Sequence, residues 1–524
     1  MVLKLPHPGS LVALAILGLV AGGFIALASF DGGTPRLLSI GPYLWRVLAF
    51  SITQAVLSTV LSLLLGIGLA LALARRRFPG RDVVLAVLGT TMVLPTIVAV
   101  FAVFAVYGRS GWLAEALTLL GWTEGFSIFG YPGILIAHVF LNGPFVARIT
   151  LDGLNQVPAE HWRLATALGF TPFQIFRHLD WPVLRGELPG IAGLIFLMCF
   201  KSFAIVLALG GGPSRSTLEV AIFEALKIDL DFGRVAWLAL IQLAICLSMA
   251  GLLHWAFTRP PVGHTIRNLI HRPDAKNRSL KVLDIIVLVV SALFIGPLAF
   301  SVLTGFRTML AVIDADLLRA FVTSLAIATA AAILACVLAF ALASAARRQR
   351  LVLRSPRIAT FYDLLPDALL AVPPFALTAG LFLLIQRFGD PSNAGLILLP
   401  LINGLAAVPF AYRYVAPHLL TTEERYGRVA ASLGLTGWSK LTIMDWPALK
   451  RPLAAGFVLA MALSFGDFGI IALFGGTELV TLPYLLYERL GAYRLDEASS
   501  IGLVIVLFAV LLAHASGRLS HAGD

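Results

Sequence analysis

The sequence predicts an all-α, polytopic membrane protein with about twelve transmembrane helices in two parallel six-helix repeats. Three observations carry that expectation. Hydrophobic residues make up 59% of the 524 positions, and the mean hydropathy is +0.91. Charged residues reach only 13%, about half the roughly 25% of an ordinary globular chain. That is too little charge to cover a water-soluble body of this length, which excludes a soluble enzyme, and the apolar content excludes a disordered chain and a collagen. Third, the apolar residues are gathered into long runs, and the runs fall into two matching sets.

A run of about 17 or more mostly apolar residues can cross a bilayer as a helix. Six such runs lie at 11–30, 47–74, 83–106, 131–147, 188–209 and 235–257, and six more at 285–303, 321–345, 368–385, 396–412, 453–474 and 498–515. The first is long for a cleaved leader, and Phe30-Asp31-Gly32 is a poor small-residue cleavage site, so it reads as a retained helix. Cys199, Cys246 and Cys336 each sit inside an apolar run, far apart in sequence. They read as small packing residues rather than a zinc site or a redox pair.

Orientation follows from the cations. With the N-terminus in the cytoplasm and the chain alternating, 27 of the 39 Lys and Arg fall inside, 11 fall outside, and Lys201 falls within a span. That bias places both termini in the cytoplasm. The cations sit at helix ends, where they meet anionic lipid, so the net charge of +11 points to a membrane surface and not to nucleic acid.

The polar stretch 258–281 divides the spans six and six. It serves as a cytoplasmic linker between a first repeat, 1–257, and a second, 282–524. At an offset of 271, Phe50 meets Phe321, the pair Arg76 and Arg77 meets Arg347 and Arg348, and Pro95 meets Pro366. At an offset of 265, Pro144, Phe145 and Arg148 meet Pro409, Phe410 and Arg413. The strongest match lies in the cytoplasmic loops 148–187 and 413–452. There 160–185 and 425–450 share nine of 26 positions: Arg163, Ala165, Leu168, Gly169, Thr171, Asp180, Trp181, Pro182 and Leu184 with their partners. Six spans is an even number, so both halves have the same orientation. Two equivalent loops then lie about a pseudo-twofold axis along the membrane normal and offer matched sites to a two-site partner.

Each loop reads as a short helix, a glycine, and a second helical stretch ending at Trp-Pro. Leu164, Ala165, Ala167 and Leu168 share a helical face. Gly169 and Gly434 suit helix C-termini, where the left-handed backbone carries no Cβ penalty. Pro182 and Pro447 should break the helix again before the next span. Such an element could rest at the lipid interface, but its occurrence twice at matched positions favours docking onto a protein.

The count from Ala165 through Gly169 to Pro182, repeated from Ala430 through Gly434 to Pro447, resembles the EAA loop of ATP-binding-cassette importer permeases. Arg163 and Arg428 stand where that family has Glu, Leu164 and Val429 where it has its first Ala, and Trp181 and Trp446 where its loop ends on Leu. The resemblance implies that the loop couples to an ATPase subunit. It assigns that role to Arg163, Ala165, Leu168, Gly169, Asp180, Trp181 and Pro182, and to Arg428, Ala430, Leu433, Gly434, Asp445, Trp446 and Pro447. It covers nearly the whole chain, because two fused halves occur in a subgroup that includes thiamine and ferric-iron permeases. The Asp-Trp-Pro endings and the stretch 194–226 are most similar to the thiamine permease. The resemblance implies two copies of an ATPase subunit, which bind the ATP and Mg, a periplasmic binding protein, and the bacterial inner membrane as location. The sequence itself contains no GxxxxGK[ST] phosphate loop, so hydrolysis is expected in a separate chain, with no cofactor or metal held here.

Two charges fall well inside spans. Lys201 lies in the fifth and Asp467 in the eleventh; at an offset of 265 they align with Gly466 and Ser202. A charge within the bilayer tends to face a cavity or a partner. Lys201, Ser202 and Asp467 are therefore candidate pathway residues, Asp467 favouring a cationic solute and Lys201 a phosphate. A structural ion pair, or Lys201 reaching outward to headgroups, is the alternative. The glycines at 210–212 and 475–476 could form an outer gate, a docking loop or plain helix ends. Trp112, Trp122 and Tyr131 read as interfacial anchors. A ferric-iron permease, which would want more carboxylates, is one rival reading. A secondary transporter, which would need no paired docking loops, is the other.

Overall fold

The computed structural model describes residues 8–29, 41–91, 94–121, 127–212, 215–256, 272–309, 314–386, 395–475 and 479–521. Trp122, Gly476 and the first part of the linker lie outside these. The first half contains α1 (Pro8–Ala28), α2 (Pro42–Arg75), α3 (Arg81–Thr90), α4 (Thr96–Tyr107), α5 (Trp112–Leu119), α6 (Tyr131–Leu154) and α7 (Ala159–Ala167). It continues with α8 (Pro172–Phe200), α9 (Ala204–Leu209), α10 (Leu218–Phe223) and α11 (Phe232–Ala256). The second half contains α12 (Arg278–Leu303), α13 (Ala315–Arg347), α14 (Pro356–Ala371), α15 (Pro374–Gln386) and α16 (Gly395–Ser432). After these come α17 (Gly437–Phe465), α18 (Ile471–Phe474), α19 (Leu482–Gly491) and α20 (Leu495–His521). No strand occurs among the described residues.

Among the described residues eleven helices are long and apolar enough to cross a membrane, and α14 with α15 makes a twelfth, bent by 89° at its break. The crossing is required topologically. The ends of α13 and α16 lie at the same end of the bundle, since Arg347 and Glu423 meet there, so 356–386 must carry the chain to the opposite end.

Four spans read as continuous are interrupted. The third is α3 and α4, parted at Pro95, which caps α4 in an extended conformation. The ninth breaks at Val372-Pro373, as the residue before a proline is driven out of the helical region. The fifth, read as 188–209, breaks after Phe200 and resumes at Ala204. The eleventh stops at Phe465 and resumes at Ile471. Hydropathy is blind to these breaks because the residues on both sides are equally apolar.

The halves are not packed as two separate blocks. Helix α1 lies against α13 and α15 of the second half, while α12 lies against α2 and α4 of the first. Small residues make the α1 crossing possible: a Cβ added at Gly380 would stand 2.3 Å from the Gly23 carbonyl oxygen. Gly380→Val should therefore lower detergent-phase thermal stability by about 1–3 kcal/mol or more, the usual cost of overpacking. Gly18→Ala, which meets nothing within 4 Å, should leave the melting temperature unchanged in the same assay.

The remaining expectations fare unevenly. Trp112 packs on Phe300 at 5.7 Å and Tyr131 on Phe50 at 4.8 Å, both as protein contacts. The connections after the two glycine runs are not simple outer loops, for α10 and α19 carry buried faces. Each is tied down in the same way. The Leu218 N–H donates to Ser51 Oγ at 3.0 Å, and the Leu482 N–H to Ser324 Oγ at 2.9 Å.

Candidate functional site: two coupling elements and a broken-helix centre

In the first half, Pro158 ends the preceding turn and α7 starts after it. Trp162 and Ala165 turn inward, 3% and 2% exposed, while Leu164 and Leu168 project outward at 58% and 61%. Arg163 is exposed on the same helix. Gly169 takes φ +64°, and the Phe170 N–H reaches back to the Ala165 carbonyl at 3.0 Å, closing the helix as Gly at this position allows. A reciprocal Thr171–Gln174 capping box opens α8.

Pro182 does not break the chain there. Residues Phe176–Asp180 form a single π-helical turn, with the Trp181 N–H donating to the Phe176 carbonyl, and the helix runs on through Pro182 to Phe200. The wider turn absorbs the N–H that proline lacks and relieves its ring of the preceding carbonyl. The second half repeats this with Leu441–Asp445 and Trp446, and with Gly434 at φ +65°. It differs upstream. Helix α16 continues unbroken to Ser432, so the expected separate short helix is here the end of a span. Ala430 is buried, whereas Val429 and Leu433 are exposed. With Tyr426, Ile443 and Met444 they line an open apolar groove of about 420 Å³.

The predicted coupling residues therefore divide. Arg163, Leu168, Gly169, Trp181 and Pro182 lie at the surface, as do Arg428, Leu433, Gly434, Trp446 and Pro447. Ala165 and Ala430 are packing positions, and Asp180 and Asp445 are buried. Asp180 accepts a two-pronged contact from Arg272, at 3.0 and 2.7 Å. Asp445 accepts the same from Arg347, at 2.6 and 3.0 Å. Glu423 adds to the second site, pairing with Arg347 at 3.5 Å and Lys440 at 2.7 Å. Burial works against the charged form of Arg272, but hydrogen bonds and charge from Asp274 and Asp180 outweigh it and raise its pKa above the ordinary guanidinium value. The two aspartates thus anchor the elements from beneath.

At the centre, Lys201 caps the C-terminus of α8, and its Nζ donates to the Leu370 carbonyl near the end of α14 at 2.5 Å. A cation at two helix C-termini is electrostatically favoured. Lys201 therefore points into the protein and not toward headgroups. Asp467 accepts from the Ile470 N–H at 3.3 Å, ahead of α18. Among the described residues no ion pair joins Lys201 to Asp467. Ser202 is buried, with no hydrogen-bond partner for its hydroxyl. Its neighbour Phe203 stacks on Phe375 at 4.7 Å and on Phe468 at 6.0 Å, and Phe468 meets Tyr487 at 4.9 Å. Phe203 and Phe468 are repeat equivalents at the offset of 265. A contact between equivalents lies on the axis relating them, so these rings meet at the centre of the repeat. A buried carboxylate, Glu219, accepts from Gln242 Nε2 at 2.8 Å nearby in the first half.

Sequence reasoning missed Phe203, Phe468, Glu219 and Arg272. The phenylalanines were findable, since extending the repeat alignment past the loops pairs them. Arg272 was not, because its partner lies 92 positions away.

Interrupted spans about an axis, with paired surface elbows at one end, define a polytopic all-α membrane protein of two repeats. The family model for the inner membrane component of binding-protein-dependent transport systems matches residues 62–260. The chain is similar to the thiamine transport system permease protein ThiP of Brucella melitensis, 38% identical over 98% of this chain and 95% of that one. It is 39% identical to the ThiP protein of Salmonella typhimurium, over 96% and 95%, and 40% identical to that of Escherichia coli, over 90% and 88%. The chain belongs to the ThiP family of multi-pass permeases.

Proposed function

We propose that this chain is the permease subunit of an ATP-driven importer for thiamine or its phosphates, in the bacterial inner membrane with both termini in the cytoplasm. Two copies of an ATPase subunit bind ATP and Mg and dock on the elbows built by 148–187 and 413–452, and a periplasmic binding protein delivers solute to the opposite end. Residues 1–257 and 282–524 are the two repeats, joined by 258–281. The observation that carries this reading is the matched pair of elbows, each presenting an exposed apolar ridge over a buried, ion-paired aspartate. The names of the full-length relatives support thiamine over ferric iron, and the paired elbows support ATP-driven transport over a secondary transporter.

Lys201, Ser202 and Asp467 line the pathway. They stand at the helix breaks, where freed backbone groups and unpaired polar atoms can meet a solute. In vesicles holding the full complex, Asp467→Asn should raise the thiamine concentration needed for half-maximal uptake by about tenfold, the worth of one lost charge contact of about 1.4 kcal/mol. Lys201→Met should instead act more strongly on thiamine phosphate than on thiamine. Uptake of both solutes unchanged in both variants would remove these residues from the pathway; failure of the complex to move thiamine at all would remove the solute.

A further inference from the structure

The link between the halves needs only enough chain to span them, yet its last part is fixed at three points. Arg272, 7% exposed, grips Asp180 of the first elbow and Asp274 of its own turn at 2.9 Å, and its guanidinium lies over the Trp162 ring of α7 at 4.4 Å. Three residues on, the Ala275 carbonyl accepts from Arg76 Nη1 at 2.6 Å. Asp284, within α12, is then held by Arg75 and Arg76, each at 2.6 Å. The turn Pro273–Lys276 enters α12 without slack, because Asn277 Oδ1 caps the helix through the Leu280 N–H at 3.1 Å. Among the described residues the second elbow has no such arrangement: Arg347 of its own half holds Asp445.

We propose that residues 272–284 form a transmission strut that carries displacement of the first elbow directly into α12, the leading span of the second half. The strut is stiff because its charges are buried and paired, and a buried charge left without its partner is strongly destabilising. It also crosses between repeats: α12 packs on α2 and α4, so a push at α7 reaches first-half spans through a second-half helix. Arg272 acts here as a positioning residue. The proposal rests on reading α7 as an ATPase-coupling element.

The test uses the full chain reconstituted with its ATPase and binding protein, with thiamine as the probe. Four Gly/Ser residues inserted between Lys276 and Asn277 leave every ion pair able to form but decouple the turn from α12. The same insertion between His264 and Thr265 lengthens the link ahead of the strut. The first insertion should lower thiamine moved per ATP by about fivefold or more, the lower edge of usual intersite coupling, with ATP hydrolysis retained; the second should behave as the parent. Equal transport per ATP in both overturns the strut. If the first variant does not assemble, spin labels at His161→Cys, exposed on α7 and outside the docking ridge, and Val282→Cys in the otherwise intact complex decide. A strut keeps their separation fixed through the nucleotide cycle, and a change of about one helical turn, ~5 Å, overturns it. Loss of ATPase binding in the parent complex would overturn the coupling reading and the strut with it, whereas binding with no insertion effect overturns the strut alone.

Discussion

Replacing Leu168 and Leu433 together with Asp should abolish ATP-driven thiamine uptake while leaving a folded, membrane-inserted chain. Both side chains project from their elbows, 61% and 68% exposed, so little internal packing is lost. The buried Ala165 and Ala430 and the two aspartate–arginine pairs still hold the elbows in place. A leucine buried in a partner's apolar groove contributes about 1.5–3 kcal/mol, and an unpaired carboxylate driven into the same groove costs several more. Two such changes outweigh the stability of an ordinary subunit contact. Co-purification of the ATPase subunit with the variant, followed by uptake in vesicles, measures this. Full ATPase retention with parental uptake would mean the ridges are not the docking surface.

The double variant Phe203→Ala, Phe468→Ala should conduct without nucleotide. The two rings meet on the axis within a cluster that includes Phe223, Phe375 and Tyr487, and both are buried, 5% and 1% exposed. An apolar constriction of this kind blocks solute by excluding water. Truncating both rings removes the contact that closes it, at a cost of about 3–5 kcal/mol each in packing. The expected result in vesicles lacking ATP is a flux of thiamine about tenfold or more above the parent, with transport per ATP reduced when nucleotide is present. Each single variant should leak less than the pair, since the equivalent ring remains on the axis. An impermeable double variant that still assembles would place the seal elsewhere.

Both predictions depend on features of different visibility. The elbows were legible as repeated residues: Gly169 and Gly434 do adopt the left-handed backbone expected of them. The prolines misled, because Pro182 and Pro447 suggest interruption when read alone, and only the π turns ahead of them show how the helix passes through. The charges misled in a related way. Asp180 and Asp445 read as coupling groups by their place in the motif, but each sits beneath its elbow against an arginine from a distant stretch of chain.

The amino-acid order by itself determined twelve crossings, the duplication and the two elbows, because burial of apolar area in lipid and the left-handed preference of glycine are local properties. Tertiary structure decided where the spans break, that α1 and α12 each cross to the other half, that Phe203 meets Phe468, and that Arg272 reaches Asp180. Those outcomes depend on which surfaces meet. Apolar helices in lipid gain little from hydrophobicity in choosing neighbours, so shape, small residues and a few buried charges make the choice, and no run of sequence contains both sides of such a contact.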